Sequence, residues 1–111
     1  MKSALYLAIA IITEVIGTTA LKASDGFSRI TPFLIVIISY TLSFYLLSLS
    51  LRSIPLGIGY AIWAGVGTAL TMIVSIIIWK EEMSVIDISG ILCIVFGVIL
   101  LNFDQLSMSH E

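Results

Sequence analysis

Charged side chains cut this chain into four apolar runs, at about 3–21, 32–51, 56–79 and 85–103. Each run has roughly the 20 residues that a helix needs to cross the hydrocarbon core of a bilayer. The pattern predicts an all-α membrane protein, with residues 1–111 forming a single domain of four transmembrane helices and no room left for a soluble domain. The connections support that division. Residues 22–29 hold an Asp25-Gly26 turn signal flanked by Lys22 and Arg29, which can snorkel to headgroups. Lys22 also suits the negative end of the first helix. Thr31 followed by Pro32 reads as an N-cap and first helical residue. The second connection, Arg52-Ser53-Ile54-Pro55, is short enough to make spans two and three antiparallel neighbours, with Pro55 in a first turn that tolerates its missing donor. After Lys80-Glu81-Glu82-Met83, Ser84 and Asp87 stand three apart as a reciprocal capping pair for the fourth helix.

Composition removes several function classes. The chain is 59% hydrophobic and 11% charged, with a mean hydropathy of +1.18, far from a soluble globular domain. Its net charge of −2 and pI near 5.2 offer no basic surface for nucleic acid. The single Cys93 excludes an internal disulfide, completes no metal-ligand cluster and is expected to pack as a small hydrophobe. No nucleophile, base and orienting group converge, so neither an enzyme nor a cofactor is expected. The first apolar run passes through Ala8-Ile9-Ala10, which resembles a signal-cleavage site, but it continues into an acid and three further spans follow, so it is read as a membrane helix. His110, in a short polar tail after residue 103, is read as a solvated residue rather than a ligand.

The acid is Glu14, near the centre of the first run. A charge at that depth costs several kcal/mol, so such a carboxylate is protonated, paired or turned to a wet cavity, and marks a functional site by default. At helical spacing its neighbours include Ala10, Gly17 and Thr18, which leave space for a ligand or a second helix. Gly17 fits helix contact and pocket lining equally. On the second span Tyr40, Ser43 and Phe44 share a face, and Tyr40 at mid-membrane needs a hydrogen-bond partner, an acid on a neighbouring helix being one candidate. Tyr60 and Trp63 lie one turn apart on the third span, Trp63 away from the interfacial belt where Trp79 falls. Such rings either pack or, around a pair of Glu14 carboxylates, suit a lipophilic cation. Gly57 and Gly59 lack the third glycine and preceding strand of a nucleotide loop. Gly65 and Gly67 are positions where the third helix could bend, and Gly90 and Gly97, two turns apart, form a candidate dimer-contact face. Asn102 fits an interhelical hydrogen bond or a headgroup contact.

Loop charge bears on assembly. Lys2 and Arg52 fall on the side of the N-terminus and Lys22, Arg29 and Lys80 on the other, a bias of one that barely orients the chain under the positive-inside rule. Dual topology follows as a hypothesis. Two copies in opposite orientation would reproduce the inverted repeats of larger transporters, so the expected functional unit is an antiparallel homodimer.

The stretches 14–22, 25–29 and above all Pro55-Leu56-Gly57-Ile58-Gly59-Tyr60-Ala61-Ile62-Trp63-Ala64-Gly65-Val66-Gly67 resemble the small multidrug resistance transporters, and the resemblance covers essentially the whole chain. It implies a multi-pass protein of the bacterial inner (plasma) membrane whose antiparallel dimer exports hydrophobic and quaternary ammonium cations in exchange for protons. Glu14 of both subunits would bind either one. By position, Tyr40, Tyr60 and Trp63 match the aromatic residues of the family's binding chamber, Thr18 and Ser43 its polar lining, and Gly90 with Gly97 its dimerisation motif. Guanidinium exporters of the family typically carry tryptophan just after the glutamate-valine pair, where this chain has Ile16-Gly17-Thr18-Thr19, which favours the multidrug, quaternary-ammonium branch. The rival readings are export of guanidinium, a polyamine or a lipid-linked molecule, and a non-transporting subunit of a membrane complex.

Overall fold

A computed structural model of the protein describes residues 2–108, with side chains described through residue 103. Four helices follow one another: α1 (Lys2–Ala23), α2 (Ile30–Ser50), α3 (Leu56–Ile78) and α4 (Val85–Met108). All four are long and apolar enough to cross a membrane. In lipid every backbone donor and acceptor must be satisfied within the protein, which is why an apolar run of this length becomes a helix.

The ends of the helices differ from the sequence reading in three places. Thr31 is not the cap of α2, because the helix begins at Ile30 with Arg29 as its N-cap, and the Phe33 N–H donates to the Arg29 carbonyl at 3.1 Å. Pro32 therefore sits third in the helix, still inside the first turn whose N–H groups have no helical partner. Pro55 is the N-cap of α3 (φ −57°, ψ 144°) rather than a first-turn residue, and its carbonyl accepts from Gly59 N–H at 2.9 Å. The fourth helix runs to Met108, past the apolar boundary at 103. His110 lies outside the described residues. At the start of α4 the capping pair forms as expected: Ser84 N–H donates to Asp87 Oδ2 and Asp87 N–H to Ser84 Oγ, both at 3.1 Å.

Helices in lipid gain nothing from the hydrophobic effect by meeting one another, so they associate through close packing of small residues and interhelical hydrogen bonds. The α1–α2 contact is the most extensive and is built that way. Ala10, Gly17, Ser39 and Ser43 are all buried there, and a methyl built at Gly17 would stand 3.1 Å from Ser39 Cβ. The core continues through Leu7 and Ile11 of α1, Leu47 of α2 and Ile62 and Trp63 of α3. Among the described residues α4 packs only on α3, and Val98 is its one buried residue. Val98 and Ile94 fill the space over Gly65, where a methyl would meet their Cγ2 atoms at 2.7 and 3.2 Å. Most other described residues of α4 are exposed, Ile86 by 81%, as a surface turned to lipid or to another protein must be. Cys93 lies on that bare surface rather than packed inside.

Candidate functional site

Glu14 points from α1 into the seam with α3, and Gly67 is what lets it in. A methyl at Gly67 would stand 2.6 Å from Glu14 Oε2. The other oxygen, Oε1, accepts a hydrogen bond of 2.8 Å from Thr18 Oγ1, one turn further along α1. Thr18 Oγ1 is also paired with the Tyr40 hydroxyl of α2. A threonine hydroxyl carries one proton, so while it is donated to Glu14 the Tyr40 O–H must be the donor to Thr18. The result is a chain from Tyr40 through Thr18 to the carboxylate. Glu14 Oε2 is buried and has no protein partner among the described residues.

The carboxylate opens into a cavity of about 380 Å³ between α1 and α3, within the size range of small-molecule sites. Hydroxyls line it. Thr19, Thr68 and Ser75 donate to their own helix carbonyls at 2.7–2.8 Å, whereas Thr71 Oγ1 is buried without a partner among the described residues. Thr68, Thr71 and Ser75 went unnoticed in the sequence, although their i, i+3, i+7 spacing draws a polar stripe along an apolar helix. At its outer end the cavity is bounded by Lys22, Trp79 and Glu81. Lys80 takes the left-handed conformation (φ 55°) and Glu81 N–H donates to the Ser75 carbonyl at 3.3 Å, folding the loop back over the end of α3. Glu81 thereby reaches Lys22 as an ion pair. The hydrogen bond from Lys22 Nζ and the lysine's charge hold the Glu81 carboxyl below its ordinary range.

A second polar group lies deeper. Trp63 Nε1 donates to Ser43 Oγ at 3.0 Å, and Ser43 Oγ donates to the Ala10 carbonyl at 2.6 Å, tying α3, α2 and α1 together. Both side chains are buried. An aromatic ladder leaves this knot, with centroids 5.4 Å apart for Phe44–Trp63, 5.5 Å for Tyr60–Trp63 and 6.4 Å for Tyr40–Phe44.

The residues singled out in the sequence thus fall into separate groups. Glu14, Thr18 and Tyr40 are joined by hydrogen bonds. Ser43, Trp63 and Ala10 form the buried knot, and Gly17 belongs to the α1–α2 seam. Tyr60 is 52% exposed at the end of the ladder, and neither it nor Trp63 lines the cavity that holds Glu14. Gly65 and Gly67 lie within one unbroken helix, against Val98 and Glu14 respectively. A methyl at Gly90 or Gly97 would meet nothing within 4 Å.

Four membrane-crossing helices, with an intramembrane acid whose Oε2 has no partner among the described residues beside a hydroxyl-lined cavity of small-molecule size, define a multi-pass membrane protein. The model of the Small Multidrug Resistance protein family matches residues 2–103, and the chain belongs to that family. It is 51% identical over 98 residues to the quaternary ammonium compound-resistance protein QacH of Staphylococcus saprophyticus, covering 88% of this chain and 92% of that protein. The multidrug resistance protein EbrA of Bacillus atrophaeus is 48% identical over 99 residues, covering 89% and 94% of the two chains. The quaternary ammonium compound-resistance protein QacE of Escherichia coli is 41% identical over 110 residues, covering 99% of this chain and all of that protein. These relatives are bacterial, and with its four spans the chain is a multi-pass protein of the bacterial inner (plasma) membrane.

Proposed function

We propose that the protein is a proton-coupled antiporter that exports hydrophobic and quaternary ammonium cations, with Glu14 as the group that proton and cation share. The observation that carries this reading is the half-satisfied carboxylate. Thr18 holds Oε1, while Oε2 is buried with no protein partner among the described residues, and Glu14 lines a cavity large enough for a small ligand. A proton on Oε2 or a cation beside it would neutralise the same charge, and each therefore opposes the other's binding. Relatives named for resistance to quaternary ammonium compounds support the cation's identity.

The functional unit in this reading is an antiparallel homodimer that supplies two copies of Glu14. The bare face of α4 and the open space at Gly90 and Gly97 support a contact between copies there, and the nearly balanced loop charge supports insertion in both orientations. Tyr40, Tyr60 and Trp63 from both copies would wall the chamber, with Thr18 and Ser43 as its polar lining and Gly17 and Ala10 giving it room. Bending at Gly65 and Gly67 would belong to the alternation between the two faces of the membrane.

The test is substrate-induced proton release from the purified protein, with uptake into proteoliposomes driven by a pH gradient. Both are expected in the native protein and absent from Glu14→Gln. Gradient-driven uptake by Glu14→Gln at the native rate would defeat the mechanism. Competition of guanidinium and polyamines against a fluorescent lipophilic cation separates the rival cargoes, and a non-transporting subunit would be indifferent to Glu14.

A further inference from the structure

At the outer end of the Glu14 cavity an ammonium group is already held. The Lys22 side chain, from the last turn of α1, is ion-paired with Glu81, and its Nζ lies 5.2 Å from the centre of the Trp79 ring. A carboxylate on one side and an indole face on the other form the recognition chemistry of an organic cation, since the ring's negative face attracts positive charge and its carbon skeleton covers hydrocarbon. The pair stands at the rim, beyond the end of α3 at Ile78, with side-chain exposures of 50% for Lys22 and 40% for Glu81. Lysine is a strongly hydrated charge on a flexible stem, so it can leave this place for water. A quaternary cation carries no N–H groups to keep hydrated and brings apolar surface to the ring. Lys22, Trp79 and Glu81 line the same cavity as Glu14, eight residues along α1 from Lys22, or about 12 Å of helix.

We propose that Glu81 and Trp79 form an access site for hydrophobic quaternary ammonium and phosphonium cations at the mouth of the Glu14 cavity, with Lys22 as a tethered occupant that the arriving cation displaces. This rests on the proposed export of such cations. The cation meets its first carboxylate at the membrane surface and its second at mid-membrane, and Lys22 closes the mouth again once the cation has moved inward.

The experiment uses full-length protein carrying Glu14→Gln and Trp63→Phe, in which Trp79 is the remaining tryptophan, titrated with tetraphenylphosphonium while Trp79 fluorescence is followed. We expect saturable quenching that weakens several-fold in about 0.5 M salt, as befits an exposed charge pair. Adding Lys22→Met should tighten it about tenfold, and adding Glu81→Gln should remove it. Neutral triphenylphosphine oxide should give no saturable signal. Quenching that survives Glu81→Gln unchanged, or none in either the parent or the Lys22→Met protein, overturns the access site. Because Trp63→Phe removes the buried bond to Ser43, the Trp79 indole resonance in isotope-labelled protein retaining Trp63 gives the same comparison by NMR. Tight cation binding that persists undiminished in Glu14→Gln would overturn the role of Glu14, while the Glu81 comparison would still decide the access site.

Discussion

The two polar clusters inside the membrane span are made of similar groups and end in opposite states. Around Ser43 the accounts close: its hydroxyl accepts from Trp63 and donates to the Ala10 carbonyl, and no buried side-chain atom of that knot lacks a partner. Around Glu14 they stay open, with one oxygen held by Thr18 and the other buried without a protein partner. In a low-dielectric interior a closed cluster fixes a structure, and an open one keeps a place for something that comes and goes. The difference separates a residue that ties three helices together from one that, in the proposed mechanism, is offered to a ligand.

Substitutions can break or sharpen that contrast. Replacing the open group should have the largest effect: Glu14→Gln is expected to lower gradient-driven uptake into proteoliposomes by at least about 100-fold, because the proposed mechanism uses this group in every cycle. It should leave the thermal unfolding midpoint nearly unchanged, whereas Glu14→Asp should retain uptake with an altered pH dependence. Gly67→Ala comes next, because its methyl would stand 2.6 Å from Oε2 and must push the carboxylate out of the seam. Uptake should fall by about tenfold, less than the roughly 100-fold that a displacement of about 1 Å can cost a positioned group, because the carboxylate ends a flexible side chain, and circular dichroism should show α3 intact. Ser43→Ala acts on the closed cluster and should weigh most on stability, lowering it to denaturant by about 1 to 2 kcal/mol because it leaves the buried Trp63 N–H unpaired. Thr18→Val cuts the link from Tyr40 to Oε1 and should shift cation affinity several-fold with a smaller change in stability. The smallest effect belongs to the rim. Glu81 is held below the ordinary carboxylate range, so its pairing with Lys22 is complete above that range and is lost as pH falls through the lowered value. The carboxyl carbon resonance of Glu81 should titrate accordingly, returning to the ordinary range in Lys22→Met.

How much of this was legible in the sequence follows from what each signal measures. Hydropathy reports the thickness of the bilayer, and it located all four helices. It does not report where backbone hydrogen bonding stops, so α4 continues past residue 103 to Met108. Thr31 followed by Pro32 has the composition of a cap, yet a proline is accommodated anywhere in a first turn, and the helix started earlier. Glu14 was conspicuous because a charge in an apolar run has one reading, and its link to Tyr40 through Thr18 was half visible in the need of a central phenol for a partner. The Trp63–Ser43 bond was hidden because spacing along each helix does not say which faces meet. The stripe at Thr68, Thr71 and Ser75 was hidden for another reason: a threonine in a membrane helix can satisfy itself on its own carbonyls, as Thr68 does, and so raises no alarm in an apolar run. Lys22 and Glu81 are 59 residues apart, and only the left-handed turn at Lys80 brings them together.

The attachment of α4 to α3 alone, through Val98 and Ile94 over Gly65, sets how motion can spread through the subunit. α3 also forms one wall of the Glu14 cavity, opposite α1. A shift of α3 that widened or narrowed the space beside the acid would carry α4 with it, since among the described residues no other helix packs against α4. A surface lying against α4 would then feel, through one shared lever, any change in the space beside the acid.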